Sequence, residues 1–157
     1  MHMSHKVALI VIFFVFSTTK ALAATDLPDI KAGLWESRTT MGDTKNIISS
    51  SCMDNSVYKK MSDDRDKNPN RPCQVIHAER NGSTYSSEVE CKFGKKVTRS
   101  TTVITFSGNT AYHSEMRGSD NSVEMVIDSK YLGSCPSGMK LGDVTGPQGM
   151  KFNVLQP

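Results

Sequence analysis

Hydrophobic and polar positions alternate along most of this chain, the period expected of half-buried β-strands. Between residues 73 and 91, CQVIHAERNGSTYSSEVEC, two alternating runs flank Asn81-Gly82, a pair that accepts the positive dihedrals of a tight turn. A three-residue loop at 81–83 sets Cys73 opposite Cys91, Val75 opposite Val89 and His77 opposite Ser87, which reads as a disulfide-clasped hairpin. Further strands follow at 97–106 and 110–117, with turns at 107–109 and 118–121. In the next run Val123, Met125, Ile127 and Tyr131 alternate with Glu124, Asp128 and Lys130, with Val126 breaking the pattern. Upstream, Gly33-Leu34-Trp35-Glu36 opens a strand that ends at Met41, Gly42-Asp43 turns it, and a second strand covers 45–52.

The pattern changes at Asp54, which is placed to cap a helix over 55–61 with Val57 and Met61 one turn apart. The charged stretch SDDRDKNPNRP (62–72) holds two prolines and reads as an exposed loop. Together these elements predict a mainly β fold: a curled antiparallel β-meander, a half-barrel or small barrel-like sheet, with one short helix and two disulfides. One face is buried and the other wet, and abundant Ser and Thr keep the apolar face narrow.

Composition changes this picture at the ends. His5 and Lys6 precede an unbroken apolar run at 7–16 and the small-x-small sequence Ala21-Leu22-Ala23, so residues 1–23 are expected to be a Sec signal peptide cleaved near Ala23. The run is too short for a bilayer, which needs about twenty apolar residues, and cleavage would leave Ala24 rather than a lipid-accepting cysteine. Residues 24–31 are then a linker, 32–136 a single β-rich domain, and 137–157 a Gly/Pro-rich tail, loose apart from a short strand at 151–155. Without Lys6 and Lys20, 17 of the 19 basic residues remain against 16 acidic ones. Near-neutral charge gives no reason to expect nucleic acid as partner, and no later segment is long and apolar enough to span a membrane. The expected location is the periplasm, or alternatively the secreted medium.

Four cysteines, Cys52, Cys73, Cys91 and Cys135, remain in the mature chain, and an even number in an exported protein argues for two disulfides. The register favours Cys73–Cys91, leaving Cys52–Cys135. The rival pairing is Cys52–Cys73 with Cys91–Cys135. With no CxxC, and with only His77 and His113 beyond the leader, neither a metal site nor a cofactor is expected.

Several short motifs recur in a familiar order: Gly33-Leu34-Trp35-Glu36, Cys52 before a short helix, Cys73 and Cys91 bracketing a hairpin, and Leu132-Gly133-Ser134-Cys135-Pro136. Over about residues 30–136 the chain resembles the exported bacterial family known as domain of unknown function 3617. The resemblance implies a periplasmic β-rich domain of Gram-negative bacteria and supplies no catalytic residues.

No GxSxG elbow, phosphate loop or dinucleotide fingerprint is present. His77, read as lying on the same face as Val75, and His113 are the only candidate bases, and both read as packed or rim residues; Glu88 and Glu90 read as solvent-side acids. The chain is therefore expected not to be an enzyme. The leading expectation is a non-enzymatic module for a small apolar molecule or lipid, lined by Trp35, Tyr85, Tyr112 and Met125. The alternative is a disulfide-stabilised protein-interaction or inhibitor module acting on a periplasmic protein through the Asn81 tip or the 63–72 loop.

Overall fold

The computed structural model describes residues 27–42, 46–67 and 72–156. The expected signal peptide lies outside them. Strands β1 (Gly33–Met41) and β2 (Ile47–Met53) lead into helix α1 (Asn55–Lys67). A run of five strands follows: β3 (Cys73–Asn81), β4 (Thr84–Phe93), β5 (Lys96–Ser107), β6 (Ala111–Gly118) and β7 (Val123–Gly133). Strands β8 (Asp143–Thr145) and β9 (Lys151–Asn153) close the chain, with a 3-10 turn at Pro147–Gly149 between them. All nine strands form one antiparallel sheet in the order β3-β4-β5-β6-β7-β1-β2-β8-β9, open at both edges.

The sheet curls around α1. Tyr85 of β4 and Met53 of β2 belong to one buried cluster with Trp35, Phe106, Ile30 and Val57 of the helix. Five strand spacings separate β4 from β2, about 24 Å in a flat sheet; Phe106, Tyr112 and Trp35 bridge that span, and α1 touches both β2 and the edge strand β3. Trp35 is 1 % exposed and donates its Nε1–H to the Lys31 carbonyl at 2.8 Å, which satisfies its one polar group. Asp54 caps α1 as the sequence predicts: its carboxylate accepts from Ser56 Oγ at 2.6 Å and from the Val57 amide at 3.0 Å. These bonds, the serine's first, hold its pKa below the usual carboxylate value.

Both disulfides follow the favoured pairing, Cys73–Cys91 and Cys52–Cys135, and they suit an oxidising, exported environment. Among the described residues no cysteine is free, and no helix is long and apolar enough to cross a membrane. The clasped hairpin has its cysteine and valine pairs as expected, but Asn81 pairs with Thr84, so the loop is the two residues Gly82-Ser83. A β-bulge between Val75 and His77 absorbs the one-residue difference. In consequence His77 faces Glu88 instead of Ser87, and it lies on the outer face, opposite to that of Val75. The bulge also interrupts the exposed edge strand, a feature that discourages edge-to-edge pairing.

Three other expectations change. The helix runs on to Lys67, because charge density favours exposure without opposing helix and the first helix-breaking residue in that stretch is Pro69. Residues 27–31 are docked, not a loose linker: Ile30 is 4 % exposed and its amide donates to Asn55 Oδ1 at 2.7 Å. The C-terminal segment is also ordered. Strand β8 pairs with β2, the Gly142 amide donates to the Cys52 carbonyl at 2.8 Å, and Val154 and Leu155 pack against the core.

The motifs behind the family resemblance meet at one corner. Leu34 pairs with Gly133 on one side and with Cys52 on the other, and Cys52 is bonded to Cys135. Gly33 has φ +144°, and a side chain there would collide with the Gly133 carbonyl. The glycines permit a close backbone approach that the disulfide locks, so the signature describes architecture.

Candidate functional site

Alternation divides the three neighbouring strands β6, β7 and β1 into two faces. Tyr112, Ser114 and Met116 of β6 point inward with Met125, Ile127 and Ser129 of β7 and with Trp35, Ser37, Thr39 and Met41 of β1. His113, Glu115 and Arg117 point outward with Asp128 and Lys130 and with Glu36 and Arg38.

The outer face holds a hollow of about 510 Å³ bordered by Glu36, Arg38, Ser107, Ala111, Tyr112, His113, Asp128, Ser129 and Lys130. Its shape follows from the register. One cross-strand row reads Glu36, Lys130, Ala111, Ser107, and the next reads Arg38, Asp128, His113. The small Ala111 and Ser107 leave space between the long side chains of Lys130 and the second row.

Charges around the hollow are ordered. Asp128 Oδ1 lies 2.7 Å from His113 Nδ1, and Glu115 Oε1 lies 3.4 Å from His113 Nε2. These carboxylates, Asp128 foremost, raise the His113 pKa and favour imidazolium. Arg117 Nη2 donates to Glu115 Oε2 at 2.6 Å, and Arg117 first, then His113, lower the Glu115 pKa. Lys130 Nζ is 3.1 Å from Glu36 Oε1. Arg38 stands opposite Asp128 in the ladder, yet its guanidinium has no ion pair or hydrogen bond among the described residues. The hollow thus presents a histidine biased toward its charged form and an ammonium, both with carboxylate partners, and a guanidinium that has none among the described residues.

Of the four residues read from sequence as ligand-lining, three come together and one does not. Trp35 and Tyr85 are buried in the core, and the Tyr112 ring packs on Trp35 with centroids 6.0 Å apart. Met125 lies on the same inner face but outside that cluster. Tyr112 also borders the outer hollow. His77, exposed on the outer face of β3, has Glu79 3.8 Å from its Nε2 and no link to the hollow. Glu88 and Glu90 lie on the outer face of β4, with Arg99 paired to both. Sequence reading missed Arg38, Lys130 and Ala111. Their signal was the alternation itself, once the pairing of β1 with β7 is known. Among the described residues no three His, Cys, Asp or Glu side chains are grouped to hold a metal.

Nothing among curated proteins or solved structures matches the chain. Residues 30–135 match the family described as "Protein of unknown function (DUF3617)", and since that match spans more than half of the sequence, the chain belongs to this family.

Proposed function

We propose that this protein is a non-enzymatic binding module of the periplasm, and that it takes a small polar ligand bearing an anionic group in the hollow on the outer face of β6, β7 and β1. The observation that carries the reading is the Arg38 guanidinium, unpartnered among the described residues, at the border of a hollow of about 510 Å³, a volume within the range of small-molecule sites. A planar guanidinium recognises carboxylate or phosphate through two parallel donors, and the nearby Lys130 and imidazolium add positive field. The aromatic residues first expected to line an apolar site are engaged by α1 and by one another, which favours a polar ligand over a lipid.

The His113–Asp128 pair invites comparison with a catalytic dyad. A general base needs a neutral nitrogen facing the substrate. Here both ring nitrogens face carboxylates and the pKa is raised, which supports a charge ladder rather than a base.

Native mass spectrometry of the protein purified from a periplasmic fraction tests the proposal. A small-molecule adduct that disappears in Arg38→Ala, at unchanged melting temperature, is expected. An apo mass that does not shift on addition of periplasmic small-molecule extract overturns it, and an adduct gained only from lipid extract returns the reading to an apolar ligand. A second reading, a protein-interaction module, has one observation in its favour: Phe93 and Val97, 56 % and 53 % exposed, project beside the clasped end of the hairpin.

A further inference from the structure

Beyond the aromatic core, the inner face of β6, β7 and β1 carries three methionines in a row. Met116 pairs with Met125, and on its other side Met125 pairs with Met41. Residues directly opposite in an antiparallel ladder share a face, with Cβ atoms about 4.5–5.5 Å apart. This is the face around which the sheet curls, so curvature tilts the outer two side chains toward the middle one. Met116 and Met125 are half-buried and Met41 is 45 % exposed. None belongs to the buried cluster, which leaves the thioethers at the solvent margin.

The surroundings narrow the chemistry. Along the same face the described neighbours are Ser114 and Gly118 on β6, Thr102 on β5, Ile127 on β7 and Thr39 on β1. No imidazole or thiolate is among them, which disfavours zinc. Two carboxylates are close: Glu124 Oε1 lies 2.5 Å and Asp120 Oδ1 3.2 Å from where a Gly118 side chain would begin, so they set negative charge beside the row, Asp120 being engaged with Ser122. A thioether is a neutral, polarisable donor that needs no deprotonation, and soft sulfur ligands select Cu(I) over hard divalent ions. Stronger sulfur competitors are missing, because both cysteine pairs are oxidised.

We propose that Met41, Met116 and Met125 form a three-thioether site for a soft monovalent cation, Cu(I) or its redox-inert counterpart Ag(I). The site lies on the face opposite to the polar hollow and does not depend on it. No electron transfer is involved: the ion exchanges weak solvent ligands for three sulfurs, with Glu124 and Asp120 contributing field.

The test is titration of the full chain with Ag(I) in chloride-free buffer, read by the ¹³C-methyl signals of methionine. The Met41, Met116 and Met125 methyls are expected to shift together and saturate at one ion per chain, while those of Met53, Met139 and Met150 stay in place. The near-isosteric triple variant M41L/M116L/M125L keeps the volume of the row and is expected to fold, with Ag(I) affinity at least tenfold weaker. Arg38→Ala is expected to leave that affinity unchanged. Shifts confined to other methionines, or a triple variant that holds Ag(I) within tenfold of the parent, overturn the proposal.

Discussion

Trp35 and Glu36 are adjacent in sequence and belong to different chemical worlds. The indole is 1 % exposed, packed on Tyr112 and edge-on to Tyr131. The carboxylate one residue on reaches across the outer face to Lys130. The same contrast repeats through β6, β7 and β1, with Tyr112 behind His113 and Met125 two residues from Ile127, while Asp128 faces the other way. Two candidate sites of opposite character therefore share three strands back to back. The difference teaches that the chemistry here is written in strand register, where a one-residue step exchanges sheltered apolar and thioether groups for exposed charge.

The largest test of this division is to truncate both neighbours. Trp35→Ala is expected to cost about 3–5 kcal/mol, the usual range for removing a buried aromatic ring, measured as a drop in the urea midpoint. Glu36→Ala should change stability by no more than about 0.5 kcal/mol, because its ion pair is at the surface. Comparable losses would mean that both faces are packed, and the two-faced description would fail.

The hairpin provides a second, smaller test. The Cys73–Cys91 bond closes a separation of 18 residues, for which chain entropy gives about 3 kcal/mol. The double variant C73S/C91S should lose about that much in chemical denaturation, yet keep native amide-exchange protection in β6, β7 and β1. Protection lost across those strands would show that the two sites depend on the clasp.

Much of the fold is legible in the sequence because its signals are local. Alternation and turn residues place β3 to β7 within a residue or two, Asp54 marks the helix start, and the cysteine register identifies the pairing. What is not legible is long-range. Nothing in Gly33-Leu34-Trp35-Glu36 says that β1 pairs with β7, yet that pairing builds both the Arg38–Asp128–His113 row and the methionine row. The bulge between Val75 and His77 was hidden because it restores the Cys73–Cys91 pair after the two-residue turn has displaced the register by one. Gly-rich composition at the C-terminus suggested looseness, but the backbone there adds strands to the free edge of β2. The aromatic candidates Trp35, Tyr85 and Tyr112 illustrate a further limit: sequence shows that a ring is sheltered, while only topology shows what shelters it.

The smallest effect separates the two faces most cleanly, because one titrates and the other does not. Asp128 and then Glu115 raise the His113 pKa above its ordinary value near 6.5. The sign follows: the folded state holds the proton more tightly than the unfolded chain, so this contribution is fully present below about pH 6.5 and is lost as pH rises through the raised folded value. His113 is 46 % exposed at its side chain, and exposed pairs of this kind are worth about 0.2–1 kcal/mol. Unfolding free energies measured from pH 5.5 to 8.5 should therefore show a decline of that order that is absent in His113→Gln. The imidazole proton signals of His113 should titrate with a midpoint above 6.5, and a midpoint at or below it would remove the charge ladder from the outer face. Binding of an anion in the hollow should weaken over the same interval as the imidazolium is lost. The three thioethers have no proton to lose, so Ag(I) affinity on the inner face should be the same at pH 6 and pH 8 once His113→Gln has removed the neighbouring titration. A pH-dependent Ag(I) affinity in that variant would place the ion on oxygen or nitrogen ligands and away from the methionine row.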